Sequence, residues 1–363
     1  MKILHVINTL DYGGAERLLF NFATHINREF QDIKLEVCTL LYKGDLGAKL
    51  QQMSITVHDL SCGKWDAVKI VQKLNHLISK NKYDIVHVHL FPALYYVRLV
   101  RSLNNGPVYI FTEHSTVNRR RKYKWLKLIE SSVYEGYDAI IANSKATKKE
   151  LITWLPNLEH KVRIIENGIP LTSFIKRSYE LSTPPKLLVV ARIVKSKGID
   201  IAIDAVDILK KRGFDVTLTI VGDGPEREKL EKYAQGLDVH FMGYYQNPLE
   251  LMVKHDILLV PSRWEGFGLV AIEGMQVGIP IIASDIPGLR EVVENGQTGL
   301  LFSPNDAKAL AESIEILLKN KDLREQLGTY GREEVFKRWS IDRFVCEVLS
   351  LYEELLKEKD YDG

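Results

Sequence analysis

Short apolar runs recur from one end of this chain to the other, and helical patterns separate most of them. In Ile3–Leu10, Ile85–Leu90 and Ile257–Pro261 the apolar residues fall largely on consecutive positions, not on every second one. Strands covered on both faces read this way, and strand–helix alternation with crossover connections makes such strands parallel. Further candidates in the first half are Lys34–Leu41, Ile55–Leu60, Val108–Glu113, Ala139–Asn143 and Val162–Glu166. The second half adds Lys186–Arg192, Val216–Gly222, Val239–Gly243, Pro280–Ser284 and Gly299–Phe302. Between them, stretches such as "GIDIAIDAVDILKKRG" and "DAKALAESIEILLKNKDLREQLG" carry helical periodicity. The fold class expected is therefore α/β. At 363 residues the chain exceeds the ~250–300 at which single cores stop growing, so two doubly wound, Rossmann-like domains are expected.

The boundary is expected within residues 169–185, "IPLTSFIKRSYELSTPP", which has three prolines and no core periodicity. In open α/β sheets ligands bind beyond the strand C-termini, which would line a central cleft between the two domains. Hydrophobic content of 45% and charged content of 26% suit a soluble protein, and no apolar run approaches the ~18–20 residues of a membrane span. "MKILHVINTL" reads as a first strand, not as a signal peptide. Cys38, Cys62 and Cys346 lack metal-ligand spacing and are expected to be reduced core residues, which fits a cytoplasmic location. The net charge of +2 divides unevenly: residues 1–170 carry 24 Lys and Arg against 16 Asp and Glu, and the rest carry 25 against 31. A basic half facing an anionic partner is one reading, and drift in surface charge is the other.

Three stretches suggest chemistry. In "DYGGAERLLFNFATHI", Gly13 and Gly14 follow the first strand and open a helix whose free N–H groups suit a phosphate. The three spaced glycines of a dinucleotide fingerprint are missing, and a Gly-Gly pair is also an ordinary strand–helix turn. In "VVARIVKSKGID", Arg192 and Lys197 sit in a strand-to-helix loop, where together they could hold a diphosphate or could simply be solvated. In "SRWEGFGLVAIEG", Glu265 falls in a loop and Glu273 two turns into a helix, with "GFGL" at the helix N-terminus between them. Phosphate on the helix amides and sugar hydroxyls on the carboxylates would account for both glutamates. A helix-end charge plus an exposed helical residue is the plainer alternative.

With "DIVHVHLF", "TEHS", "AIIANS", "IENGI", "VGDGPEREKL" and "FMGYYQNPLELM" in order, and "GIPIIASDIPGLREVVENGQTGLLF" closing the series, the chain resembles the retaining glycosyltransferases of family 4 nearly end to end. The resemblance implies a GT-B fold, with an acceptor-binding domain of 1–170 joined by a last helix of about 342–363, and a donor-binding domain of 171–341. It implies that Arg192 and Lys197 hold the donor diphosphate, that Glu273 binds the ribose and that Glu265 contacts the transferred sugar. Gly14 would lie against the phosphates, the backbone of Phe267, Gly268 and Leu269 against sugar and phosphate, and Gly243–Tyr245 beside the base. His114 of "TEHS" would stand near the reacting centre, while His89 is left structural. The expected reaction retains anomeric configuration, with Arg192, Lys197 and helix amides stabilising the leaving diphosphate. No carboxylate pair or His/Cys cluster calls for a metal, and no cofactor is expected beyond the nucleotide-sugar substrate, with a UDP-sugar favoured over a GDP-sugar.

The basic excess of the first half concentrates in "NRRRKYKWLKLIE", residues 118–130. Arg119, Arg120, Arg121, Lys122, Lys124 and Lys127 interleave there with aromatic and aliphatic residues, among them Trp125. Such a segment suits an anionic membrane surface, so a lipid-linked glycan acceptor on the inner face of the cell membrane is expected. A solvated basic helix is the alternative, and nucleic acid is not expected. Competing readings of the whole chain are a GT-B-shaped sugar-nucleotide epimerase and a non-catalytic glycan- or lipid-binding subunit.

Overall fold

Parallel strands buried on both faces need helices above and below them, and the computed structural model has that layering in each of two compact units. It describes residues 1–11, 13–63, 65–173 and 177–362, with the side chains of Arg119 and of residues 360–362 outside the description. One unit comprises residues 1–170 and 341–363, the other residues 171–340.

The first unit carries β1 (Lys2–Thr9), α1 (Gly14–Glu29), β2 (Lys34–Tyr42), α2 (Gly44–Gln52), β3 (Thr56–Asp59), α3 (Ala67–Asn81) and β4 (Ile85–His89). There follow α4 (Ala93–Arg101), β5 (Val108–Glu113), α5 (Leu126–Glu135), β6 (Ala139–Ala142), α6 (Lys145–Trp154) and β7 (Val162–Ile164). Its seven strands run in the order β3-β2-β1-β4-β5-β6-β7, with every pairing parallel. Alternate residues of β1 enter opposite cores: Ile3 and Ile7 pack on one face, Leu4 and Val6 on the other.

The second unit has β8 (Lys186–Val190), α7 (Ile199–Lys211), β9 (Thr217–Val221), α8 (Arg227–Tyr233), β10 (Val239–Gly243), α9 (Pro248–Lys254) and β11 (Ile257–Val260). It continues with α10 (Leu269–Gln276), β12 (Ile281–Ser284), α11 (Pro287–Arg290), β13 (Leu300–Phe302), α12 (Ala307–Lys319) and α13 (Lys321–Arg338). The parallel order is β10-β9-β8-β11-β12-β13, with β8 and β11 central. The last helix, α14 (Ile341–Asp362), returns to the first unit, where Phe344, Val345, Val348 and Tyr352 join the core that holds α1. All thirteen expected strands are present, with ends that differ by two residues at most. One expectation needs correction. Cys38 and Cys62 are buried, but Cys346 lies exposed on α14, although all three are free thiols.

Candidate functional site

In the second unit the loops after β8 and β11 meet because the two strands are neighbours and parallel. The loop after β8 makes a tight turn at Lys195–Lys197 and enters α7 through Gly198, whose φ is +61°. A Cβ on Gly198 would stand 2.0 Å from the carbonyl oxygen of Pro261, so only glycine lets this turn press against the end of β11. Arg263 then ties the loops together. Its Nη1 and Nη2 donate to Oδ1 and Oδ2 of Asp200 at 2.8 and 2.7 Å, and its backbone N–H donates to the Ser196 carbonyl at 2.7 Å. Burial would raise the Asp200 carboxyl, but the hydrogen bonds and charge of Arg263 outweigh it and hold the group below the ordinary value.

The consequence is an ion pair at the centre of the site. Lys197 Nζ donates to Glu265 Oε1, which also accepts from Ser262 Oγ at 3.1 Å. The two side chains are only 25% and 16% exposed. Holding opposite charges together away from water contributes little to stability. Such a pair sets positions, and it leaves a cation and a carboxylate ready to exchange partners with a ligand. Gly268, at φ +91°, ends the loop and starts α10 with no side-chain cap, so the first N–H groups of that helix are left without one. Phe267 is buried and Leu269 half-buried there. Glu273 is half-buried on α10, just over one turn in, because the helix starts at Leu269. The expectation of two turns is thereby corrected.

Arg192 follows β8, is exposed and makes no ion pair among the described residues. Tyr245, after β10, is half-buried and donates its hydroxyl proton to Glu250 Oε2 at 3.3 Å. The structure therefore brings Lys197 and Glu265 into contact, with Phe267 and Gly268 on the loop that carries Glu265 and Leu269 opening α10 directly after it. Arg192 follows β8 and Tyr245 follows β10, two strands separated by β9, and neither bonds to that pair among the described residues. Arg263, Asp200 and Ser262 were missed from sequence. Each lies within a stretch singled out for other residues, but a pairing across 63 positions leaves no local signal.

In the first unit Gly14 opens α1, is exposed, and has open space where a Cβ would stand. Strand alternation places His5, His87 and His89, together with Thr112, on the sheet face beneath α14, with His5 opposite His87 and His89 opposite Thr112 in register. His114 follows directly after β5 and its Nε2 lies 3.1 Å from His89 Nδ1. His89 Nε2 lies 2.9 Å from His5 Nδ1. Burial lowers His5 to about 3 and His114 to about 4. Burial first, then the neighbouring imidazoles, takes His87 and His89 well below the ordinary value, so all four rings are neutral near pH 7. His5, His87 and His89 offer nitrogen atoms within 4.8 Å of one another, a grouping that could hold a metal ion. The sequence reading expected no such cluster. Those nitrogens are already hydrogen-bonded to each other, to Tyr352 and to Thr112. His89, left structural from sequence, hydrogen-bonds both His5 and His114.

The basic segment also departs from expectation. Arg120 turns inward: its Nε donates to the fully buried Glu130 at 2.6 Å and its guanidinium lies 4.3 Å above the Phe91 ring. Arg121 is mostly covered, with Glu113 3.6 Å away. Neither belongs to an exposed patch, because buried carboxylates draw both guanidinium groups into the fold. The side chain of Arg119 lies outside the described residues. Lys122, Lys124 and Lys127 remain exposed beside Tyr123, Trp125, Leu128 and Ile129, with Trp125 67% and Leu128 82% exposed. Among the described residues no helix is long and apolar enough to cross a membrane.

Comparison with known proteins follows this division of the chain. The family described as glycosyl transferases group 1 matches residues 172–334, and the one described as glycosyltransferase family 4 matches residues 12–173. The capsular polysaccharide biosynthesis glycosyltransferase CapM of Staphylococcus aureus is 29% identical over 66% of this chain and 67% of its own length. An uncharacterized 41.2 kDa protein in the cps region of Klebsiella pneumoniae is 31% identical over 65% of this chain and 69% of its own. Among solved structures, Anabaena HepE in complex with UDP and glucose superposes with a TM-score of 0.85, covering 98% of this chain and 100% of HepE at 20% identity. Two parallel-sheet Rossmann-like units of this kind make up the GT-B architecture.

Proposed function

The chain belongs to the group 1, family 4 type of GT-B glycosyltransferases, and on that premise we propose that it moves a hexose or N-acetylhexosamine from a nucleotide-diphosphate sugar to a glycan acceptor with retention of configuration. The half-buried Lys197–Glu265 pair, fixed by the Arg263–Asp200 staple, carries this reading. A half-buried ion pair beside an uncapped helix start adds little stability, whereas a leaving diphosphate needs a fixed cation and free N–H groups, and a sugar needs a hydroxyl acceptor. Arg192 and Lys197 would neutralise the diphosphate without a metal ion, Glu265 would hold the transferred sugar, and Glu273 the ribose. A uridine nucleotide is favoured, in keeping with the HepE complexes.

The acceptor side falls to the first unit, with His114 near the reacting centre. A lipid-linked glycan in capsule or lipopolysaccharide assembly fits CapM and the cps-region relative. The exposed Trp125, Leu128 and Ile129 with Lys122, Lys124 and Lys127 would rest on an anionic bilayer at the inner face of the membrane. With Arg120 and Arg121 turned inward, apolar insertion carries more of that contact than charge does.

Thermal-shift screening against UDP, GDP and their sugars tests the donor, since a ligand of the folded state raises the melting temperature. No shift with any of them would end the reading. Nucleotide release that requires a membrane extract and persists in EDTA separates a metal-independent transferase from an epimerase or a silent binding subunit. Flotation with anionic liposomes at low salt tests the membrane contact, and absence of binding there would remove it.

A further inference from the structure

The histidines of the first unit form part of a longer unbroken chain. His114 Nε2 meets His89 Nδ1 at 3.1 Å, His89 Nε2 meets His5 Nδ1 at 2.9 Å, and His5 Nε2 meets the Tyr352 hydroxyl at 3.4 Å. The same hydroxyl lies 2.5 Å from His87 Nδ1, and His87 Nε2 lies 2.6 Å from Thr112 Oγ1. Three strands and α14 contribute, and every member except His114 is buried.

A neutral imidazole has one N–H and one lone pair, and a buried hydroxyl between two imidazoles must donate to one of them, so a single directed bond fixes the direction of all the others. Thr112 supplies that direction. Its hydroxyl has one partner among the described residues, His87 Nε2. A buried O–H without an acceptor costs more than an oxygen lone pair without a donor, so Thr112 donates. His87 then carries its proton on Nδ1 and donates to the Tyr352 oxygen. Tyr352 donates to His5 Nε2, His5 Nδ1–H donates to His89 Nε2, and His89 Nδ1–H donates to His114 Nε2. The outer nitrogen of His114, Nδ1, therefore carries the proton, and it has no partner among the described residues.

We propose that this buried chain is a positioning device that locks His114 as the Nδ1–H tautomer, making it a hydrogen-bond donor toward an oxygen of the bound sugar or phosphate and not a general base. The role of His114 toward a sugar nucleotide rests on the proposed function, but the tautomer does not. Thr112, His87, Tyr352, His5 and His89 act through His114 and touch no substrate. A free neutral imidazole favours the opposite tautomer, so four Nδ1–H histidines in one protein form a distinctive signature. No net proton transfer is involved, since the chain ends at a hydroxyl that keeps its oxygen–hydrogen bond.

Long-range proton–nitrogen correlation spectra of the whole protein, labelled with 15N-histidine and free of ligand, read each tautomer directly. His114 is assigned by its loss in His114→Gln. His5, His87, His89 and His114 are expected as Nδ1–H. Thr112→Val, which keeps the side-chain shape, and Tyr352→Phe should each release His114 into a mixture of tautomers. In the transferase assay kcat should fall by roughly fivefold with KM for the nucleotide sugar little changed, because only the correctly protonated fraction reacts. An Nε2–H His114 in the native protein overturns the proposal, and so does an unchanged His114 signal in folded Thr112→Val. If Tyr352→Phe fails to fold, Thr112→Val alone decides. Failure of every nucleotide sugar to bind would instead sink the donor reading and leave the spectra unchanged.

Discussion

Replacing Lys197 by alanine removes more than a cation, because its partner Glu265 stays behind. Both side chains are about one-fifth exposed, so an effective dielectric near 20 applies, at which unit charges 4 Å apart interact by about 4 kcal/mol. Halved for solvent screening, a phosphate held at Lys197 is worth about 2 kcal/mol. Glu265, on the far side of the lysine and ~7 Å from that phosphate, opposes it by about 1.2 kcal/mol on the same scale. Titration calorimetry with the bare nucleoside diphosphate should then show Lys197→Ala binding roughly 30-fold more weakly and Glu265→Gln roughly 8-fold more tightly. The double variant should be only about 4-fold weaker than the native protein. With the sugar attached, Glu265→Gln should lose its advantage, since the carboxylate then has a hydroxyl to accept from. Thermal stability should change little in either single variant, as a partly exposed pair contributes about 0–1 kcal/mol. A double variant as weak as Lys197→Ala, or a Glu265→Gln that binds the diphosphate no better, would refute the reasoning.

Gly198→Ala forces a Cβ against the Pro261 carbonyl at a left-handed backbone, so a loss of about 2–3 kcal/mol and of diphosphate binding together is expected in urea unfolding and calorimetry. Glu130→Ala strands Arg120, the Tyr95 hydroxyl and the Trp154 N–H around a fully buried site, so unfolding should become easier by about 3–5 kcal/mol. The buried histidines make stability fall in mild acid. Below pH ~6.5 the unfolded chain takes up protons that His5, at about 3, and His114, at about 4, refuse in the fold. Stability is therefore full above pH ~6.5 and drops by about 1.4 kcal/mol per pH unit for each such histidine as pH falls toward 4. A urea midpoint that stays flat between pH 7 and 5 would contradict the assignment. Trp125→Ser with Leu128→Ser should abolish liposome flotation and leave the melting temperature within a degree or two, since both side chains are exposed.

Sequence alone carried the strand and helix alternation, because burial on both faces writes apolar residues into consecutive positions. It also carried Lys197, Glu265 and Gly268, because loops after parallel strands concentrate on one sheet edge whatever the side chains do later. Pairing was hidden. Arg263 with Asp200, Arg120 with Glu130, and His5 with His89 join residues 63, 10 and 84 positions apart. Even the short separation failed, since a run of six basic residues reads as surface until a buried glutamate is seen to draw one of them in. Alternation on a strand tells which face a histidine takes, but register decides which histidine it meets, and hydrogen-bond direction depends on one threonine two strands away from β1. Local pattern thus determined the architecture and the sheet edge at which the candidate site's loops gather, because burial acts residue by residue. Only the tertiary structure decided which charges are neutralised and which histidines meet, because both depend on groups that distant parts of the chain bring together.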